Sequence, residues 1–264
     1  MYNNIKQSDK FFLIAGPCVI ESEEIMFRIA EELKRVTSDL GIPFIFKASY
    51  KKANRTSIES YSGAGLDEGL AVLAKIKQEF SVPIITDIHE SWEAKVVAEV
   101  ADILQIPAFL SRQTDLLLEA GKTGKIVNIK KAQFMAGEDV LNAAEKVVST
   151  GNEQIMLTER GTSFGYHNLV VDFRNFAIMQ ESGYPIVYDV THSLQQPSIG
   201  KISGGTPHYV PMMAKAALAT GMVDGLFLET HPEPSKGLSD AKSMFELGKM
   251  RKLLTECLRI WDAR

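Results

Sequence analysis

The sequence predicts a closed parallel (β/α)8 barrel in a single domain. Three observations carry this: eight short apolar runs, amphipathic segments alternating with them, and a length suited to one barrel. The chain has 264 residues, and such a barrel uses about 250. The runs span residues 11–15, 43–47, 84–87, 103–106, 126–130, 155–158, 186–189 and 225–229. They are nearly continuous in apolar character rather than alternating, as strands covered on both faces must be.

Helical spacing fills the gaps. After the first run, Ile25, Ile29, Leu33 and Val36 share one face, with Ser22 placed to cap the helix and Gly41 to end the connection. Leu66, Leu70 and Leu73 form a second such stripe. Further helices are expected over 92–100, 112–122, 138–149, 173–181, 211–220 and 245–260. No linker or low-complexity tract divides the chain, so residues 1–10 read as an N-terminal extension and 11–264 as the barrel. An open doubly wound sheet is the structural alternative, because periodicity shows alternation but not closure.

Composition excludes whole classes of function. A formal net charge of −4 lacks the broad basic field that nucleic acids and membrane surfaces require. The first ten residues are polar, and the apolar stretch after them is short and broken by Gly16 and Pro17, so it is neither a signal core nor a span. Cys18 and Cys257 are too few for a disulfide framework and suit a reducing compartment. The expectation is a soluble cytoplasmic protein.

Barrel enzymes carry their chemistry at the C-terminal ends of the strands. The residues there are Cys18, Lys47, Asp87, Gln105, Lys130, Glu159 with Arg160, Asp189 with His192, and Glu229. Cys18, His192, Glu229 and the loop residue Asp240 offer one sulfur, one imidazole and two carboxylates, a donor set suited to a divalent Zn, Fe or Mn ion. A barrel brings the first, seventh and eighth strand ends together. Each residue alone also has a bland role, Cys18 as a small buried hydrophobe and His192 as a structural hydrogen bonder.

Lys47, Lys52, Arg55, Lys130 and Arg160 form a cationic set, expected to bind a small, multiply anionic substrate through charge-assisted hydrogen bonds. Their neighbours Lys51 and Lys131 read instead as outward-pointing solubilising residues. Gly63, Gly65 and Gly69 lack the spacing and the preceding strand of a dinucleotide fingerprint. His89, His167, His208 and His231 have no metal-motif spacing and read as loop or structural residues, although His231 lies two positions from Glu229.

The segments AGPCVIES (15–22), KANRTS (52–57), TDIHES (86–91), QIPAFL (105–110), RQTDL (112–116), NIKK (128–131), TERG (158–161), FGY (164–166), NLVVD (168–172), DVTHS (189–193), SGG (203–205) and ETHPEP (229–234) together resemble the 3-deoxy-D-manno-octulosonate 8-phosphate synthases. The likeness runs from Phe11 to Asp240. The related heptulosonate 7-phosphate synthases share the AGPC-type opening, but they lack the Ala53-Asn54 insertion before Arg55 and depart at Gln105–Phe109. Cys18 aligns the chain with the metal-dependent class, whose metal-independent counterparts carry Asn there.

The resemblance implies a transferase that condenses phosphoenolpyruvate with arabinose 5-phosphate and releases phosphate, for lipopolysaccharide synthesis. It implies that Lys47, Lys130 and Arg160 hold phosphoenolpyruvate, that Asn54, Arg55 and Thr56 hold the sugar phosphate, and that Gln105 and Ala108 contribute to binding. Lys52, Asp87 and His192 would be catalytic. Phe109 and Arg112 would serve a neighbouring subunit's site, so a homotetramer is expected. The alternatives are a heptulosonate phosphate synthase using erythrose 4-phosphate, another metal-dependent sugar-phosphate enzyme, or a catalytically silent binding barrel. Two departures stand out. Thr206–Tyr209 replaces a basic residue after SGG, and Met244–Leu247 replaces a Pro-Leu stretch.

Overall fold

The computed structural model describes residues 1–55, 57–197 and 204–264. Within these the barrel strands are β1 (Phe12–Gly16), β2 (Phe44–Lys47), β3 (Ile84–Asp87), β4 (Ile103–Ile106), β5 (Ile126–Lys130), β6 (Ile155–Glu159), β7 (Ile186–Asp189) and β8 (Gly225–His231). Each pairs in parallel with the next, and β8 returns to β1 from Phe12↔Gly225 to Gly16↔Glu229. That last pairing closes the barrel and removes the open-sheet alternative. Strands β3, β4, β5 and β7 have the limits the sequence predicts.

Period-two alternation sorts each strand into two faces. Phe12, Ile14, Ile45, Ile85, Ile103, Ile126, Met156, Val187 and Phe227 point inward as one apolar cluster, while Leu13, Phe46, Leu104, Val127, Ile129, Leu157, Leu226 and Leu228 join the larger core beneath the helices. Further along the inward face toward the C-terminal strand ends the interior turns polar, at Lys47, Asp87, Gln105, Asn128 and Lys130, Thr158, Asp189 and Glu229. Apolar filling thus supports a floor of chemical groups.

Helix α1 (Tyr2–Lys6) closes the opposite end. Ile5 and Tyr2 pack onto the interior cluster, and the Tyr2 hydroxyl donates to Ile155 O at 2.8 Å. On the outside run α2 (Glu23–Leu40), α3 (Leu66–Phe80), α4 (Glu93–Val97), α5 (Thr114–Lys122), α6 (Asp139–Val148), α7 (Arg174–Gln180), the single-turn α8 (Val190–Ser193), α9 (Val210–Ala219) and α10 (Met250–Asp262). The Ser22 side chain accepts from Ile25 N and Gly41 ends α2, as expected.

Two helices differ from expectation. α4 covers only part of 92–100, because Glu99 and Val100 tighten to three-residue backbone bonds on Val96 and Val97. Residues 245–246 are extended beside β8 rather than helical. Phe245 and Leu247 are buried and Glu246 between them is exposed, a strand alternation, and the Thr230 hydroxyl donates to Phe245 O at 2.8 Å. Among the described residues no helix is long and apolar enough to cross a membrane.

Candidate active site

A cavity of about 400 Å³ opens above the C-terminal strand ends. Its wall includes Lys47, Lys52, Asn54, Arg55, Asp87, Gln105, Ala108, Phe109, Lys130, Arg160, His192 and Asp240, which the sequence had singled out. The β1–β2 contact shapes one side. A Cβ at Gly16 would lie 1.9 Å from Lys47 O, so only glycine lets these strands approach, and the Lys47 ammonium then donates to Cys18 O at 3.2 Å.

The floor is a hydrogen-bonded belt. Ser49 donates to Asp87, Gln105 Nε2 donates to Asp87 Oδ1 at 2.6 Å, Asn128 Nδ2 to Gln105 Oε1 at 2.9 Å, and Thr158 Oγ1 to Asn128 Oδ1 at 2.7 Å. Beside it Lys130 bonds Asp189 Oδ2 at 2.6 Å, and its ammonium sits 3.9 Å from the Phe227 ring centroid. Burial alone would raise the Asp87 carboxyl, but Lys47, Lys52, His89 and Lys130 hold it below the usual carboxylate range. Burial likewise opposes Asp189, and His192 and Lys130 outweigh it. The carboxylates are therefore charged: Asp189 fixes the Lys130 ammonium and the His192 imidazole, and Asp87 orients Ser49 and Gln105.

Arg160 is the cation most open to a ligand. It is buried, its Nη2 reaches Gln195 Oε1 only at 3.4 Å, and its Nη1 has no hydrogen-bond partner among the described residues. Burial lowers the pKa of Arg160 and of Lys130 from their ordinary values, while neighbouring carboxylates led by Asp189 support both charges. Buried, incompletely satisfied donors suit an anion that supplies the missing acceptors.

Cys18, Glu229 and Asp240 bring a sulfur and two carboxylate oxygens within 4.8 Å of one another, a possible metal site. Asp240 arrives from the loop after β8, at a φ of 47°, in a loop tied down where Leu238 N donates to Glu21 Oε1 at 2.9 Å. Cys18 Sγ lies 3.1 Å from Asp240 Oδ2 and 3.1 Å from Ser239 Oγ. Glu229 Oε1 takes Lys47 at 2.6 Å, whereas the buried Oε2 has no hydrogen-bond partner among the described residues. That orphaned oxygen and the soft–hard donor mixture fit a transition-metal ion. Burial, then Asp240 and Glu229, raise the Cys18 thiol, and a bound cation would reverse that effect. His192 lies outside the three-residue cluster, with Nε2 3.6 Å from Glu229 Oε2; its Nδ1 sits 2.8 Å from Asp189 Oδ2, an arrangement that turns Nε2 toward the cluster.

Some expectations fall elsewhere. Arg112 is exposed and borders a separate cavity with Phe134, Asp139 and Lys146. Thr56 lies outside the described residues, as does Ser203 of the SGG segment. Lys131 contradicts its solubilising role: it is wholly buried. Outward at this strand end means toward the covering loops and Glu159, not toward water.

A family model described as the DAHP synthetase I family matches residues 4–260. The chain belongs to that family. Similar proteins named 2-dehydro-3-deoxyphosphooctonate aldolase match over nearly its full extent. That of Desulfatibacillum aliphaticivorans is 52% identical over 98% of this chain and 95% of its own. Those of Acidithiobacillus ferrooxidans and Francisella tularensis are 54% and 53% identical, over 92% and 93% of this chain and 87% and 89% of theirs.

Within this family member, sequence spacing missed several groups that the fold brings to the cavity. His89, discounted for lack of a histidine motif, lines the wall with its Nδ1 unpaired among the described residues. Glu93 holds it there: one carboxylate oxygen accepts from His89 N at 2.7 Å, Glu90 N at 3.1 Å and the Tyr50 hydroxyl at 2.7 Å. Burial opposes that carboxylate, but the bonds from His89 and Tyr50 bring it down to about 2. Gln195 was also missed, and it bridges Arg160 to Asp240 Oδ1, the latter at 3.0 Å. Adjacency to the DVTHS segment was the only signal available for it.

Proposed function

We propose that this enzyme, a transferase, condenses phosphoenolpyruvate with arabinose 5-phosphate to give 3-deoxy-D-manno-octulosonate 8-phosphate and inorganic phosphate, in lipopolysaccharide synthesis. The eight-carbon product corresponds to the octonate in the names of the similar proteins. The observation that carries the reading is the convergence of Lys47, Lys130 and Arg160 in one cavity beside Cys18, Glu229 and Asp240, in a chain otherwise acidic.

Carbon 3 of phosphoenolpyruvate bonds to the aldehyde carbon, water adds at carbon 2, and the bond from carbon 2 to the phosphate oxygen breaks. Lys47, Lys130 and Arg160 hold the carboxylate and phosphate and offset the charge that opposes bringing two anions together. Asn54, Arg55 and Thr56 hold the sugar phosphate, with Gln105 and Ala108 along the same wall. Lys52, 3.7 Å from Glu229, supplies a proton to the alkoxide that forms from the aldehyde. His192 Nε2 positions and deprotonates water, while Asp87, kept charged and bonded by Ser49 and Gln105, offsets the surrounding cations beside the reacting groups. One divalent ion, Zn, Fe or Mn, held by Cys18, Glu229 and Asp240 with His192 completing the set, would supply Lewis-acid polarisation of the aldehyde or of water.

Phe109 is 54% exposed at the cavity edge, and Arg112 is exposed outside that cavity, which supports a homotetramer in which each serves a neighbour. A cytoplasmic setting accords with two cysteines that are both free and buried.

Chain length of the sugar tests this reading. With phosphoenolpyruvate saturating, arabinose 5-phosphate should give a kcat/KM higher than erythrose 4-phosphate by about 100-fold or more, because a shorter sugar cannot reach both its phosphate cations and the attacking carbon. Preference for the tetrose would overturn the substrate assignment and leave the barrel untouched.

A further inference from the structure

Lys130 and Arg160, the two cations assigned to phosphoenolpyruvate, each have a sequence neighbour of opposite orientation. On β5 the inward residues are Ile126, Asn128 and Lys130, so Lys131 turns outward. On β6 the inward residues are Met156, Thr158 and Arg160, so Glu159 turns outward. Neither meets water. Both side chains are 0% exposed, and Lys131 Nζ lies 3.5 Å from Glu159 Oε1.

The pair's other bonds run to the loops that carry the cavity wall and to the start of α7. Lys131 Nζ donates to Met135 O at 3.0 Å and Ala132 O at 3.3 Å in the β5 loop, and to Thr162 Oγ1 at 3.1 Å in the β6 loop. Glu159 Oε1 accepts from Gly161 N at 2.6 Å, and Oε2 accepts from Asn175 Nδ2 at 2.9 Å. Between those contacts, Ser163 N donates to Gln133 O at 2.8 Å, and Gln133 lines the cavity. Gly161, at φ 91°, makes the turn that lets Glu159 reach back to its amide.

Desolvating two charges costs more than an apolar pair of similar volume would, so stability alone does not account for an ammonium and a carboxylate here. Position does. We infer that the buried Lys131–Glu159 pair is a positioning device that locks the β5 and β6 strand ends in register, fixes the distance between the Lys130 and Arg160 charges, and so sets affinity for phosphoenolpyruvate. The inference rests on the phosphoenolpyruvate reading of the site. Neither residue touches substrate; both act through their neighbours, and the sugar-phosphate side of the cavity, on the β2 loop, lies beyond their reach.

The test uses the full-length protein with Lys131→Met, Glu159→Gln and the double variant. Phosphoenolpyruvate binding is measured by calorimetry without any aldehyde, and KM is measured for both substrates. Each single variant should weaken phosphoenolpyruvate by about ten-fold or more while the KM for arabinose 5-phosphate stays within about two-fold. The double variant leaves no unpaired buried charge, so it should regain the thermal stability the single changes lose without regaining affinity. It also decides the matter should a single variant not fold. Wild-type affinity in the folded double variant, or equal losses for both substrates, would overturn the inference and spare the functional reading. A wild-type protein that takes up no phosphoenolpyruvate overturns the functional reading, and this inference with it.

Discussion

Arg160→Ala should lower kcat/KM for phosphoenolpyruvate by about 100- to 1,000-fold, the cost of removing one preorganised charge donor from an enclosed site. The size follows from the guanidinium's surroundings. It is buried, and Nη1 is left without an acceptor among the described residues, so its hydrogen-bonding capacity is committed to a ligand. Lys130→Ala should cost less, because the Lys130 ammonium already bonds Asp189 at 2.6 Å and is only shared with substrate. Arg160→Ala breaks no close ion pair, so its thermal unfolding should move by only a few degrees, whereas Lys130→Ala takes the ammonium from buried Asp189 and should lower it further. Arg160→Lys should not restore wild-type rates, since an ammonium cannot present the planar pair of donors. Steady-state kinetics with varied phosphoenolpyruvate, together with a melting curve, decides the matter. Native-like kinetics in Arg160→Ala would remove that residue from the anion site.

The second large effect concerns the donor cluster. Exhaustive chelation should abolish activity, a divalent ion should restore it, and Cys18→Ala should lose metal content and turnover together. The reasoning is local. Cys18 is the only soft donor in the cluster, and the two carboxylates already interact with Lys47 and Gln195, so they make a weak site by themselves. Cys18→Asn is the more informative variant. It should bind metal poorly, as an amide does, while keeping a small chelator-resistant turnover, because it installs the residue that metal-independent counterparts carry and leaves Lys52 and His192 in place. Elemental analysis read alongside phosphate release separates the two effects. Wild-type protein that is metal-free and fully active after chelation would make Cys18 a core residue.

The alternation was legible because eight apolar runs had nowhere to go but between helices, whereas closure was an expectation that only the pairing of β8 with β1 decides. The mouth was legible for the same reason: polar residues such as Lys47, Asp87 and Glu229 end runs that are otherwise apolar. Facing was harder to read. Lys131 looked solvated because a charge beside a strand end ordinarily is, and only the covering loops and Glu159 show that it is enclosed. His89 escaped notice because its role depends on Glu93 and Tyr50, contacts that leave no spacing pattern. Asp240 could be chosen as a ligand by type, but its place beside Cys18 depends on a loop geometry that includes a left-handed residue and the Glu21–Leu238 bond. Local periodicity therefore conveys elements and parity, while contacts between loops arise from tertiary packing.

The most direct test of the central claim is the release of inorganic phosphate by purified protein given phosphoenolpyruvate, arabinose 5-phosphate, or both, with the product identified by mass. The account predicts release only when both are present, one phosphate for each phosphoenolpyruvate consumed, and an eight-carbon acid phosphate as the product. Release from phosphoenolpyruvate alone, or no release with both substrates and divalent metal supplied, would contradict it.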